Sequence, residues 1–329
     1  MKDNSDHIIA INSLRGIAAS MVCFYHFIYT TIDYFDDELT LNIFYFGQKG
    51  VELFFIISGI VIPLSLINTN YNWSNWKMFM VKRFIRIEPP YIVAIILASF
   101  YLFIRNYIPG TADIDLTPTL TEVILHLGYL IPFFENLDWV NPVFWTLAVE
   151  FQYYLCLALI FPLILHFKKT GRFTFYLLFV AMGFLPLGYQ FFPYWAPYFL
   201  LGIVYILFRK NLIDQIEYWI VSIVLAVIVY FNLGLTDLII ACITLLIIHF
   251  LSDFQTKATL FLGKISYSLY LLHSIVGSAF INFMSHHFRE PYQKVIVVLI
   301  GFLLSVFSAY LLYRFVEKPT HQYARKLKS

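Results

Sequence analysis

Apolar runs of about 18 or more residues recur from one end of this sequence to the other, each long enough to cross a hydrocarbon layer roughly 30 Å thick. Such a chain cannot hide its apolar surface in one water-soluble core. In hydrocarbon every backbone N–H and C=O must be satisfied close at hand, so each run is predicted to be a helix. Composition agrees: of 329 residues, 60% are hydrophobic, 20% aromatic and only 13% charged, well beyond the usual mixture of a soluble domain. The expected fold class is all-α, a polytopic membrane protein read as one transmembrane domain over residues 1–329.

Hydropathy punctuated by Gly, Pro and polar clusters places spans at about 8–29, 47–67, 87–106, 143–167, 173–192, 195–209, 215–231, 234–251, 264–284 and 293–316. That makes about ten helices, with the apolar segment 121–134 read as re-entrant or interfacial. The head MKDNSDHII offers no small-residue cleavage site and is read as leading into a retained first span. With the N-terminus in the cytoplasm, seventeen Lys and Arg fall inside, Lys2 and Lys328 among them. Only Lys49, Arg105, Arg289 and Lys294 fall outside, and Arg15 stays within the first span. This positive-inside bias predicts cytoplasmic termini and an even number of spans.

The longest connection, about 107–142, falls outside, holds no Lys or Arg, and carries Asp113, Asp115, Glu122, Glu135 and Asp138. It is either a lid over an acceptor or a passive connector with an amphipathic segment. Net charge is only +2 and the basic residues are dispersed, so no nucleic-acid partner is expected; the partner expected of the surface is membrane lipid. Cys23, Cys156 and Cys242 lie in apolar runs without ligand spacing, and no catalytic metal is expected.

Ionisable side chains inside lipid are costly, so those that persist are functional candidates. Arg15 and His26 are eleven residues apart, which on an α-helix returns to nearly the same face about 16 Å further along. Gly16, Ala18, Ala19 and Ser20 between them permit close helix packing or a threaded ligand. Taken singly, Arg15 could instead snorkel to headgroups and His26 cap the outer end. Glu52 in the second span and Glu150 in the fourth fall at depths similar to that of His26. A carboxylate beside an imidazole favours its charged form and fixes its tautomer, which suits a general base. His273 either lines a route through the bundle or bonds a neighbouring helix, and Trp145 joins Glu52 and His273 as a pocket candidate. Lys77, Lys82, Arg83 and Arg86 precede the third span, whose start is set by Pro89 and Pro90. Arg83 and Arg86 share a helix face, where they can clamp phosphates or attract anionic headgroups.

In order along the chain, LRGIAASMVCFYH, GVELFFIISGIVI, VKRFIRIEPPY, FWTLAVEFQYY, YFLLGIVYILF, ISYSLYLLH and VEKP make the sequence resemble the acyltransferase-3 family over essentially its whole length. The resemblance implies a roughly ten-helix protein of the bacterial inner (cytoplasmic) membrane. It O-acylates extracytoplasmic or lipid-linked glycans such as O-antigen or exopolysaccharide, with cytoplasmic acyl-CoA, acetyl-CoA above all, as donor and no permanently bound cofactor. It implies catalytic roles for His26, Arg15 and Glu150 and donor binding by Arg83 and Arg86 with Lys82 beside them. Many members carry Asp where this chain has Glu52, which keeps the carboxylate and adds a methylene. Some members carry an additional SGNH-type hydrolase domain, and the sequence to Ser329 is read as carrying none. The mechanism this suggests has His26 as general base oriented by Glu150, with Arg15 on a donor phosphate or the thioester carbonyl and transfer either direct or through an acyl-histidine. A transporter or flippase that uses the buried Arg, His and Glu as a solute or proton pathway is the reading from another class.

Overall fold

The computed structural model describes residues 9–31, 33–107 and 116–327, of which the great majority are helical and none forms a strand. Lys2, Asp113, Asp115 and Lys328 lie outside the described residues. In chain order the helices are α1 Ile9–Phe24, α2 Glu38–Tyr45, α3 Gly50–Asn68, α4 Trp76–Arg105, α5 Leu120–Leu127, α6 Trp145–Ile160, α7 Pro162–His166 and α8 Lys168–Met182. They continue as α9 Phe192–Arg209, α10 Gln215–Leu233, α11 Leu235–Phe250, α12 Lys257–His273, α13 Ala279–Ser285, α14 Pro291–Leu312 and α15 Lys318–Lys326. Three π turns, Tyr25–Tyr29, Ser274–Ser278 and Tyr313–Glu317, directly follow α1, α12 and α14.

Among the described residues, seven helical stretches are long and apolar enough to cross a membrane: Glu38–Asn68, Trp73–Arg105, Trp145–His166, Phe192–Arg209, Gln215–Leu233, Lys257–Ser285 and Pro291–Lys326. α11 is a shorter apolar helix, and α8 has 15 residues. The first run, expected as a span, is helical from Ile9 through the π turn, but Arg15 and His26 dilute its apolar character and it is not one of the seven.

Local chemistry explains many of the boundaries. Asp37, Thr119 and Asp214 accept backbone N–H bonds from the first turns of α2, α5 and α10, and Gly234 at φ +106° separates α10 from α11. One expected boundary is wrong. Pro89 and Pro90 lie inside α4, which starts at Trp76. The two prolines deprive only the carbonyls of Ile85 and Arg86 of their usual donors, and the helix continues through that defect. The Tyr267 hydroxyl donates to the nearby Ile87 carbonyl at 2.9 Å.

The chain packs as two compact units. The first comprises Met1–Ala18, Lys49–Met80 and Val149–Lys264. In it α3 and α9 cross where two glycines meet: a Cβ on Gly59 would strike the Phe199 carbonyl, and one on Gly202 would strike that of Ile56. Phe55, Tyr153, Trp195 and Phe199 close around this crossing, with Tyr153 and Phe199 rings 4.1 Å apart. Gly16 and Gly263 bring the start of α1 against α12 in the same way, beside a Ser13–Thr259 hydroxyl contact of 2.9 Å. Glu217 receives two bonds from Arg172, at 2.9 and 2.8 Å, and a third from Tyr176.

The second unit comprises Ala19–Gln48, Val81–Ala148 and Ile265–Ser329. Phe24 stacks on Phe302 at 4.9 Å, Tyr91 stacks on Tyr129 at 5.2 Å, and Ser268 donates to the buried Glu317 at 2.6 Å. The segment around 121–134 is a short capped helix, α5, followed by a 3-10 turn at Ile131–Phe133. His126 fastens it. Its Nδ1 donates to the Glu122 carbonyl at 2.7 Å and its Nε2 accepts the Val140 N–H at 3.0 Å, so a neutral ring with one defined tautomer ties the helix to the strand of chain leading to α6.

Two expectations follow from this packing. Gly59→Leu forces α3 away from α9 and should cost about 1–3 kcal/mol of stability, read as an earlier thermal transition of the detergent-solubilised protein; an unchanged transition contradicts the crossing described. Burial holds the His126 imidazole below its ordinary range. The unfolded chain therefore takes up the proton first, so the staple contributes fully above about pH 6.5. Its contribution fades as pH falls through that value and is gone below the lowered folded one. Hydrogen exchange across residues 119–141, corrected for intrinsic rates, should be faster at pH 5 than at pH 7.5, and His126→Leu should abolish the difference.

Candidate active site

His26 is the second residue of the π turn that ends α1, and His273 is the last residue of α12, immediately before the π turn Ser274–Ser278. Both belong to the second unit, where their ring centroids are 5.1 Å apart at 49°. π turns insert a residue into a helix and swing its side chains out of α register, and they recur at functional sites. The even eleven-step register expected between Arg15 and His26 holds only to Phe24, because the π turn starts at Tyr25.

His273 is fully buried. Its Nδ1 donates to the Tyr270 carbonyl at 2.8 Å and leans toward that of Leu269 at 3.2 Å, which leaves Nε2 as the lone-pair nitrogen, buried and without a partner among the described residues. The turn is held from the segment that opens α6. Asn141 donates to the Leu271 carbonyl at 3.0 Å and accepts from the Ser274 hydroxyl at 2.8 Å, while Thr146 and Tyr270 hydroxyls lie 3.0 Å apart. Trp145, half-buried, stands on this same segment.

The remaining candidates divide between the units. Arg15, in the first unit, keeps a buried Nε without a partner among the described residues. Glu150, also in the first unit, is on α6; its Oε1 accepts from Ser58 at 3.1 Å and from the Tyr154 hydroxyl one turn along. Glu52, only 4% exposed, accepts from Lys49 at 3.0 Å through Oε1, while Oε2 is buried without a partner among the described residues. Lys82, Arg83 and Arg86 sit on α4 in the second unit, Arg83 buried and the other two half-buried. Among the described residues no three of His, Cys, Asp or Glu converge in a way that could hold a metal ion.

Two groups escaped the sequence reading. Lys49 is three residues before Glu52 and also bonds Asp237 at 2.6 Å, whose backbone carbonyl accepts from Tyr198 at 2.8 Å. The i,i+3 spacing could have flagged the first contact; nothing local could have found Asp237, 188 residues away. Glu88 is buried beside the two prolines with the Tyr129 hydroxyl as donor, and only its acidic character inside an apolar run could have singled it out.

The acyltransferase domain family profile matches residues 8–314. A protein of Acidianus two-tailed virus, named as a candidate acetyltransferase, is 28% identical over 84% of this chain and 84% of its own length. A candidate O-acetyltransferase of Staphylococcus aureus strain COL is 26% identical over 95% of this chain. O-acetyltransferase OatA of Staphylococcus aureus strain NCTC 8325 is 24% identical over 83%. The chain spans 57% and 52% of the lengths of these two staphylococcal relatives. No solved structure matches it. With the profile covering nearly the whole sequence and the ordered motifs on the helices described above, the chain belongs to the acyltransferase-3 family.

Proposed function

We propose that this protein is a multi-pass O-acetyltransferase of the bacterial cytoplasmic membrane that moves an acetyl group from acetyl-CoA to a hydroxyl of an extracytoplasmic or lipid-linked glycan. The observation that carries the reading is that Arg15 Nε, Glu52 Oε2 and His273 Nε2 are buried without a hydrogen-bond partner among the described residues, inside an apolar helical chain of this family. An unsatisfied group in hydrocarbon costs several kcal/mol by order of magnitude. Ionisable groups left open at that cost suit positions completed by substrates, and the staphylococcal relative named as an O-acetyltransferase supports the chemistry.

In the proposed reaction the acceptor hydroxyl oxygen attacks the thioester carbonyl; a C–O bond forms and the C–S bond breaks. His26 takes the hydroxyl proton and returns it to the departing thiolate, so that CoA leaves as the thiol and the imidazole is regenerated. Arg15 is proposed to stabilise the carbonyl oxygen as it gains charge or to hold a donor phosphate, and Glu150 is proposed as a further catalytic carboxylate. Arg83 and Arg86, aided by Lys82, hold the CoA phosphates from the cytoplasmic side. Glu52 and Trp145 are proposed as pocket residues, each within its own unit.

This reading uses ten spans with both termini in the cytoplasm. The ion pairs support the alternation: Lys49 and Lys294, counted outside, pair with Asp237 and Asp36 at the outer end of a proposed span and in an outer loop, and Arg172, counted inside, pairs with Glu217 at the inner end of a proposed span.

Purified protein given radiolabelled acetyl-CoA and cell-surface glycan should produce labelled ester. His26→Ala should lower the rate about 10³-fold, and replacing Arg83 or Arg86 by Ala should raise KM for acetyl-CoA more than it lowers kcat. Failure of the native protein to transfer label to any surface glycan, or uptake of label into proteoliposomes without ester formation, would contradict the proposal and favour a transporter.

A further inference from the structure

We propose that His273 is a positioning residue for His26. Its Nε2 accepts the N–H of one imidazole nitrogen of His26, so that the other nitrogen is presented to the acceptor hydroxyl. This inference rests on the acetyltransferase reading and specifies how its base is aimed.

The tautomer comes first. With Nδ1 committed to the Tyr270 carbonyl, the Nε2 of His273 can only accept, and it has no partner among the described residues despite complete burial. A histidine retained for packing needs the ring and the Nδ1 bond; it has no use for an open second nitrogen, which in that role is a pure cost. The neighbouring ring is His26, at 5.1 Å between centroids, close enough for a side-chain rotation to bring N–H to N.

The backbone is built for this approach. Each imidazole sits at a π turn, and Gly277 in the second turn lies against Phe27 in the first: a Cβ there would strike the Phe27 ring and the Ser305 hydroxyl. Asn141 and the Ser274 hydroxyl lock the turn beside His273, so the acceptor atom is held by hydrogen bonds on both sides of the residue that carries it. Once His26 has taken the hydroxyl proton, its second N–H faces a neutral acceptor and the bond becomes charge-assisted, strengthening where the transition state needs it.

Two substitutions separate aim from packing. In His273→Asn the amide can keep the bond to the Tyr270 carbonyl, but nothing reaches the Nε2 position; His273→Gln returns an oxygen close to it. With acetyl-CoA and glycan, the Asn variant should lose about 10²-fold in kcat with KM nearly unchanged, and the Gln variant should recover a substantial part of that loss. Gly277→Ala, which touches neither imidazole, should lower kcat by separating the turns. Normal turnover in His273→Asn, or equal loss in the Asn and Gln variants when both reach the membrane intact, overturns the inference; if the Asn variant does not insert, normal turnover in Gly277→Ala overturns it. The parent reading is judged separately: an inactive native protein removes both, whereas an active native protein with a dead His26→Ala and an unaffected His273→Asn removes only this one.

Discussion

Hydrocarbon offers no hydrogen bonds, and that constraint governs this molecule. It forces the backbone into helices and makes every ionisable side chain among them a cost to be met by a partner. The protein meets it unevenly. Glu217 is saturated by Arg172 and Tyr176, Glu317 takes Ser268, and Asp237 takes Lys49 at 2.6 Å and, more loosely, the Tyr198 hydroxyl at 3.4 Å. Among the described residues, Arg15, Glu52 and His273 are each left with an open atom. The same environment that makes saturation valuable makes its absence informative, which is why the open atoms carry more weight here than they would on a soluble surface.

Glycine does the complementary work. Gly59 with Gly202 and Gly16 with Gly263 let backbones approach where side chains would keep them apart. Between helices that are apolar on all sides, such close approach supplies the dispersion contact that a hydrophobic gradient cannot. Gly277 has a narrower effect: it allows two π turns to meet, with His26 in one and His273 immediately before the other. The residues that let the helices pack and the residues proposed to carry chemistry are therefore neighbours in sequence, as in LRGIAASMVCFYH and ISYSLYLLHSIVG.

The segment before α6 joins structure to chemistry in the second unit. A capping box at Thr119 and Glu122 starts α5, His126 ties that helix to Val140, and Asn141 then bonds the turn beside His273. Far from being a slack connector, this stretch is fastened by consecutive hydrogen bonds that end at the histidine pair.

By itself the sequence determined the all-helical membrane class and the family, because each is written in local quantities: run length, turn residues, and motifs in order. It also exposed Arg15, His26, Glu52, Glu150 and His273, since a charge inside an apolar run stands out without any knowledge of its neighbours. Only the tertiary structure decided who partners whom. That His273 stands beside His26, that Asp237 reaches Lys49, and that Glu150 is held by Ser58 and Tyr154 depends on how helices distant in sequence are rotated about their axes. The π turns and the unbroken α4 across Pro89 and Pro90 belong to the same category, because local propensity argued for regular helix in one case and a helix start in the other, and packing overruled it in both.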